Sequence, residues 1–190
     1  MTEPMADTTL SERPRRADAQ RNRQRLVDAA RESFQSKGSD ASLECIAKAA
    51  EVGIGTLYRH FPNRLDLVVA IYRDDIDALV ARSRDTDLPP WDALLAWVDV
   101  VRDFGWTKRA LMEELRVASD NASELFQQCR TDLVESADRV LVRAQEAGVV
   151  RRDVDAAVLL RTVGAVASAQ HTTPEQTEMM IKIVLDGLRA

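Results

Sequence analysis

Apolar positions along this chain recur at intervals of three and four residues, the spacing that lines up one face of an α-helix. From about Arg21, the positions Leu26, Ala29, Ala30 and Phe34 share a face, and Lys37-Gly38 supplies a stop. Ser42 then precedes LECIAKAA, in which Leu43, Ile46, Ala47 and Ala50 keep helical spacing, so Ser42 reads as an N-cap. After Glu51-Val52-Gly53 comes IGTLYRHF, where Ile54, Leu57 and Phe61 share a face before Pro62 forbids continuation.

A longer apolar stripe runs from Arg64 to about Ser83 through Leu65, Val68, Ile71, Tyr72, Ile76, Leu79 and Val80, and ends in the polar stretch RDTDLPP. Beyond Pro90 the same periodicity predicts helices in WDALLAWVDVVRDF, in RALMEELRVA, and from Asn121 to Ala147, where Gly148 closes the run. Asp153 is placed to cap another helix through about Gln170, and TPEQTEMMIKIVLDGL completes a ninth. No segment alternates with the period of two that strands show, and no internal repeat is visible. The expected fold class is all-α.

Composition agrees with that pattern, because aromatic residues are only 5% of the chain while Ala, Leu, Val, Arg and Glu recur throughout. With 190 residues and 45% hydrophobic content, the chain is long enough for one core or two small packed units. Cys45 and Cys129 lie far apart and fit no metal-ligand spacing, and His60 and His171 stand alone, so neither a metal nor another cofactor is expected. The absence of a signal-like apolar stretch and of any run of membrane-spanning length leads to the expectation of a cytoplasmic protein with no membrane partner.

The formal charge of −5 argues against a nucleic-acid partner until its distribution is considered. Residues 1–64 carry 11 Lys and Arg against 9 Asp and Glu, whereas residues 65–190 carry 15 against 22. Within 11–25, six arginines (Arg13, Arg15, Arg16, Arg21, Arg23 and Arg25) face only Glu12 and Asp18. The first residues, 1–18, are expected to form a flexible tail.

Two short helices joined by a turn of about four residues, with a third helix before them, have the form of a DNA-binding helix-turn-helix. On a helical wheel for 54–61, Leu57, Phe61 and Ile54 turn inward while Gly55 and Arg59 point away; Thr56 and His60 lie on one flank and Tyr58 on the other. The outward face offers a glycine that permits close approach, an arginine able to bond guanine O6 and N7, and hydroxyl or imidazole donors for phosphates. Arg64 adds a further phosphate donor. The plainer alternatives are that Tyr58 is a partly buried core aromatic and His60 an ordinary surface histidine.

The segment SLECIAKAAEVGIGTLYRHFPNR, residues 42–64, resembles the DNA-binding signature of the TetR family of bacterial repressors. The resemblance implies that Tyr58, His60 and Arg64 hold phosphates, that Thr56 and Arg59 enter the major groove, and that Ser42 touches the backbone. It implies a helix-turn-helix domain over 19–64 and a helical ligand-binding and dimerisation domain over 65–190, with 65–83 as the connecting helix. The chain departs from the family in two places: Glu51 stands where the family usually has glycine, and Gly53 where it often has a serine N-cap. If position 51 requires positive φ, a non-glycine there costs about 1 kcal/mol.

The resemblance also implies a homodimer through the last two helices, which carry Gly164, Ala165, Ala167 and Ala169 and then Met179, Met180, Ile183, Val184 and Leu188. Trp91, Trp97, Phe104, Trp106, Met112, Phe126 and Cys129 gather most of the remaining aromatic bulk in the helices of 90–147; any one of them reads most simply as an ordinary core residue, but together they could line an apolar cavity, where a small-molecule effector is expected. That run shows no basic cluster on an apolar face, so the expected effector is apolar and uncharged or weakly polar. The expected function is a repressor released from a double-stranded, palindromic operator by that effector. An enzyme finds no support, since the chain has no glycine-rich phosphate loop, nucleophile elbow or metal motif. A helical adaptor that uses the three-helix unit for protein contacts is the competing reading.

Overall fold

The computed structural model describes residues 9–85, 87–111, 115–116 and 123–190, and among them the chain is built of α-helices, with one isolated antiparallel bridge between Val150 and Arg189 and no strand. The helices are α1 (Thr9–Lys37), α2 (Leu43–Ala49), α3 (Ile54–His60), α4 (Arg64–Ser83), α5 (Pro90–Ala110), α6 (Ser123–Glu146), α7 (Ala156–Ala167) and α8 (Pro174–Leu188). Two compact units divide the chain, residues 1–67 and 68–190, so the boundary falls inside α4.

α1 begins upstream of Arg21, at Thr9, so residues 9–18 are helical. Arginine and alanine are strong helix formers, and charge alone does not unfold a segment rich in them. The helix stops where expected, at Gly38, which takes φ +55°. Leu26, Val27, Ala30 and Phe34 of α1 are buried with Ile46 and Ala47 of α2, Leu57 of α3, and Phe61, which together make the core of the first unit.

In the second unit α5, α6 and α7 pack on one another and α8 packs on α7. Gly148, at φ +71°, ends α6 in a Schellman motif: its N–H donates to the Gln145 carbonyl and that of Val149 to the Ala144 carbonyl. α7 is capped by Asp155, which accepts from the Val158 N–H at 2.7 Å; Asp153, the expected cap, instead pairs with Arg151 at 2.6 Å. Thr173 and Gln176 form a capping box at the start of α8.

α5 continues through Gly105, where the sequence pattern suggested a break between two helices. The glycine serves packing instead: a Cβ there would lie 2.5 Å from the Cβ of Ala167 and 2.7 Å from its backbone. Two helices touch backbone to backbone at this point. Of the separate helix expected over 109–118, residues 109 and 110 belong to α5 and most of the rest lie outside the described residues.

Candidate nucleic-acid interface and effector cavity

The turn between α2 and α3 is Ala50-Glu51-Val52-Gly53. Ser42 caps α2, accepting from the Cys45 N–H at 3.2 Å. The helix ends in a second Schellman motif, with the Glu51 N–H on the Lys48 carbonyl and the Val52 N–H on the Ala47 carbonyl. That motif requires a left-handed residue at position 51, and Glu51 takes φ +54°. A side chain there strains the backbone, but Arg25 of α1 holds the Glu51 carboxylate. Gly53 then caps α3 with extended backbone, without a side chain.

α3 turns Leu57 fully inward and is followed by Phe61, which is also buried. Ile54 departs from the wheel: at the first residue of the helix it is 39% exposed, because the helix end protrudes from the cover of α1 and α2. Arg59 and Gly55 are exposed, and Thr56 and His60 are half-buried on the flank. Tyr58 is 45% exposed, which removes it from the core. Among the described residues, Tyr58 and Arg59 have no hydrogen-bond or ion-pair partner, and a Cβ on Gly55 would meet nothing within 4 Å. None of the three has an internal packing duty.

Arg64 has one. Its guanidinium donates to the Ala41 carbonyl and lies 4.4 Å from the centroid of the Phe34 ring, so it ties the start of α4 to the residue before the Ser42 cap. Asn63 caps α4 by accepting from the Asp66 N–H at 2.9 Å. Arg23, which the sequence showed only as part of a basic run, stacks 5.4 Å from the Phe61 centroid at the end of α3.

The second unit contains a cavity of about 670 Å³, within the range of small-molecule sites. Of the residues expected around an effector, Phe104 and Phe126 line it. Trp97 and Cys129 do not: both are fully buried core residues, the indole donating to Ser136 at 3.2 Å and the thiol accepting from Arg73 at 3.7 Å. Burial pushes the Cys129 thiol up, which keeps it protonated. Met112 and the Trp106 side chain lie outside the described residues.

The aromatic wall is completed by Tyr72 of α4, whose ring lies 5.5 Å from Phe104 and 5.0 Å from Phe126. Burial first, and Cys129 second, push its phenol up to about 12. α7 adds Leu160, Arg161, Gly164 and Ala165 to the lining, with Ser168 just past its end, and Lys108 and Arg130 join from α5 and α6. Sequence reasoning missed these because they are scattered over four helices. One local signal was available: Arg161 is the sole charged residue in the twelve of α7.

On α7 and α8 the small residues do not form one outward stripe. Ala167 is buried against Gly105, and Gly164 and Ala165 line the cavity. What does point outward and apolar is Val158 at 51% exposure, Met179 at 57%, Met180 at 38% and Ile183 at 65%. Met179 and Ile183 lie one turn apart on α8. Among the described residues no helix is long and apolar enough to cross a membrane, and no cluster of His, Cys, Asp or Glu is placed to hold a metal.

Comparison with known proteins agrees with both halves. Residues 26–71 match the family described as bacterial regulatory proteins, tetR family, and residues 89–190 match the C-terminal domain described as transcriptional regulator SbtR-like. A TetR transcriptional regulator from Streptomyces coelicolor is 31% identical, with a TM-score of 0.78 over 88% of this chain and 98% of that one. A TetR transcription regulatory protein from Mycobacterium vanbaalenii is 33% identical, with a TM-score of 0.68 over 92% and 99%. An HTH-type transcriptional regulator from Staphylococcus aureus is 29% identical over 116 residues, and the match spans 59% of this chain and 62% of that relative's length.

Proposed function

Since the chain belongs to the TetR family of bacterial regulatory proteins, we propose that it is a sequence-specific DNA-binding transcriptional regulator, a repressor released from a palindromic operator by a small molecule. The observation that carries this reading is the outward face of α3. Gly55 and Arg59 are exposed there opposite the buried Leu57, with Tyr58 exposed on the flank. Arg59 reads a base edge, with Thr56 beside it in the major groove. Tyr58, His60 and Ser42 hold phosphates, and Arg64 orients the start of α2 while adding charge.

Two copies pair through the exposed apolar faces of α7 and α8 and set two recognition helices about 34–36 Å apart, one turn of DNA. The protein works in the cytoplasm, where its DNA lies, and performs no chemistry of its own. An effector in the cavity of the second unit releases DNA only by binding the DNA-incompetent arrangement more tightly. α4 supports that coupling, since Tyr72 on the cavity wall and Arg64 beside Ala41 belong to the same helix.

A gel-shift titration against the intergenic DNA upstream of the chain's own gene tests the reading. Saturable, salt-dependent binding is expected, with Arg59→Ala relaxing the preference at one or two base pairs at a cost of about 1–3 kcal/mol. Base preferences that Arg59→Ala leaves unchanged would refute the assignment of the α3 face.

A further inference from the structure

Resting on the effector reading above, we propose that the cavity of the second unit is built for an organic anion: an apolar body that carries one acidic group. The body is dictated by the aromatic wall of Tyr72, Phe104 and Phe126, with Leu160 opposite on α7. The acidic group is dictated by charge. Residues 65–190 are richer in acids than in bases, 22 against 15, yet among the described residues every charged one on the cavity lining is basic: Lys108, Arg130 and Arg161.

These three cations come from α5, α6 and α7, so they reach the cavity from different sides. Among the described residues none of them has an ion-pair partner, while Arg73, Arg82, Arg102 and Arg151 of the same unit each pair with an aspartate. All three lining cations are exposed at the mouth of the cavity, where they keep their water beside a neutral ligand and gain nothing from it. A carboxylate or similar anion replaces that water with charge-assisted hydrogen bonds. Tyr72 stays protonated well above neutral pH, so its hydroxyl remains a donor to the same group.

This revises the uncharged effector expected from residues 90–147. Within that stretch Lys108 and Arg130 stand apart, and Arg161, which joins them, lies beyond it on α7.

The test uses the full-length protein and matched probes: octanoate, decanoate and 4-phenylbutyrate, each titrated by calorimetry beside its neutral primary alcohol at neutral pH. The acids are expected to bind at least about tenfold tighter than the alcohols. In Arg130→Gln/Arg161→Gln, with an unchanged helical circular dichroism signal, that preference should fall to parity while alcohol affinity is retained. Parity in the unaltered protein, a preference that survives the double substitution, or no saturable binding of any pair would overturn the anion site. Fluorescence anisotropy of a bound operator duplex separates this from the effector reading. Acids that bind as expected without releasing DNA overturn the effector role and leave the anion site standing; release by alcohols as readily as by acids does the opposite.

Discussion

Arg64, the first residue of α4, donates its guanidinium to the carbonyl of Ala41, the residue immediately before the cap of α2. A charged hydrogen bond to a carbonyl contributes about 1.5–3 kcal/mol, and the stacking on Phe34 adds about 0.5–1 kcal/mol. Arg64→Ala is therefore expected to destabilise the first unit by about 2–4 kcal/mol in urea denaturation and to weaken all DNA sequences alike. Loss of affinity with no change in the urea midpoint would make Arg64 a phosphate ligand alone.

Tyr72 gives the stability a distinct alkaline limb. Its phenol ionises near 10.0 when unfolded and near 12 in the folded protein. A raised folded value means that the contribution is fully present below pH 10.0, falls as the unfolded chain deprotonates, and is gone above about 12. Denaturation midpoints measured across that window should decline in the unaltered protein and decline less in Tyr72→Phe. Equal slopes would show that the ring is not buried as described.

Ile183 at 65% exposure, with Met179 one turn away, is an apolar surface that water alone does not favour. Ile183→Glu is expected to convert a dimer to a monomer in sedimentation velocity at micromolar concentration, with helical content unchanged. DNA affinity should fall with it, since half of the paired readout is lost. A variant that remains dimeric would place the interface elsewhere.

Much of the fold was legible because its signals are local. Ser42, Gly38 and Gly148 fix helix ends within a few residues of sequence, and each acts as an end in the structure. The inward and outward faces of α3 were legible for the same reason, apart from Ile54, whose exposure depends on where α1 and α2 stop covering it. The cavity was not legible. Apolar bulk between 90 and 147 drew attention to Trp97 and Cys129, but periodicity cannot tell a residue that fills a core from one that borders a space. The continuation of α5 past Phe104 was not legible either, because the reason for glycine at 105 is Ala167, 62 residues away in the chain.

Glu51 places a side chain in a left-handed backbone, φ +54°, at the centre of the helix-turn-helix. Removing the side chain should relieve about 1 kcal/mol, while the pair with Arg25, whose partners are 47% and 78% exposed, returns little of it. Glu51→Gly is thus expected to stabilise the first unit by roughly 0.5–1 kcal/mol, less the added entropy of the unfolded chain. Glu51→Ala keeps the strain, loses the pair, and should give no gain. Chemical denaturation of both variants decides it: equal effects would mean that the backbone conformation carries no strain.

The contact of Gly105 with Ala167 also sets how exacting the cavity is. Gly105 borders the space, and behind it the two helices meet with no longer side chain between them, so that part of the wall has no rotamers to change. Phe126 and Leu160 do have them. The proposed effector would therefore face a lining in which the backbone at Gly105 is fixed while Phe126 and Leu160 can turn, so its fit against Gly105 would be the more exacting one.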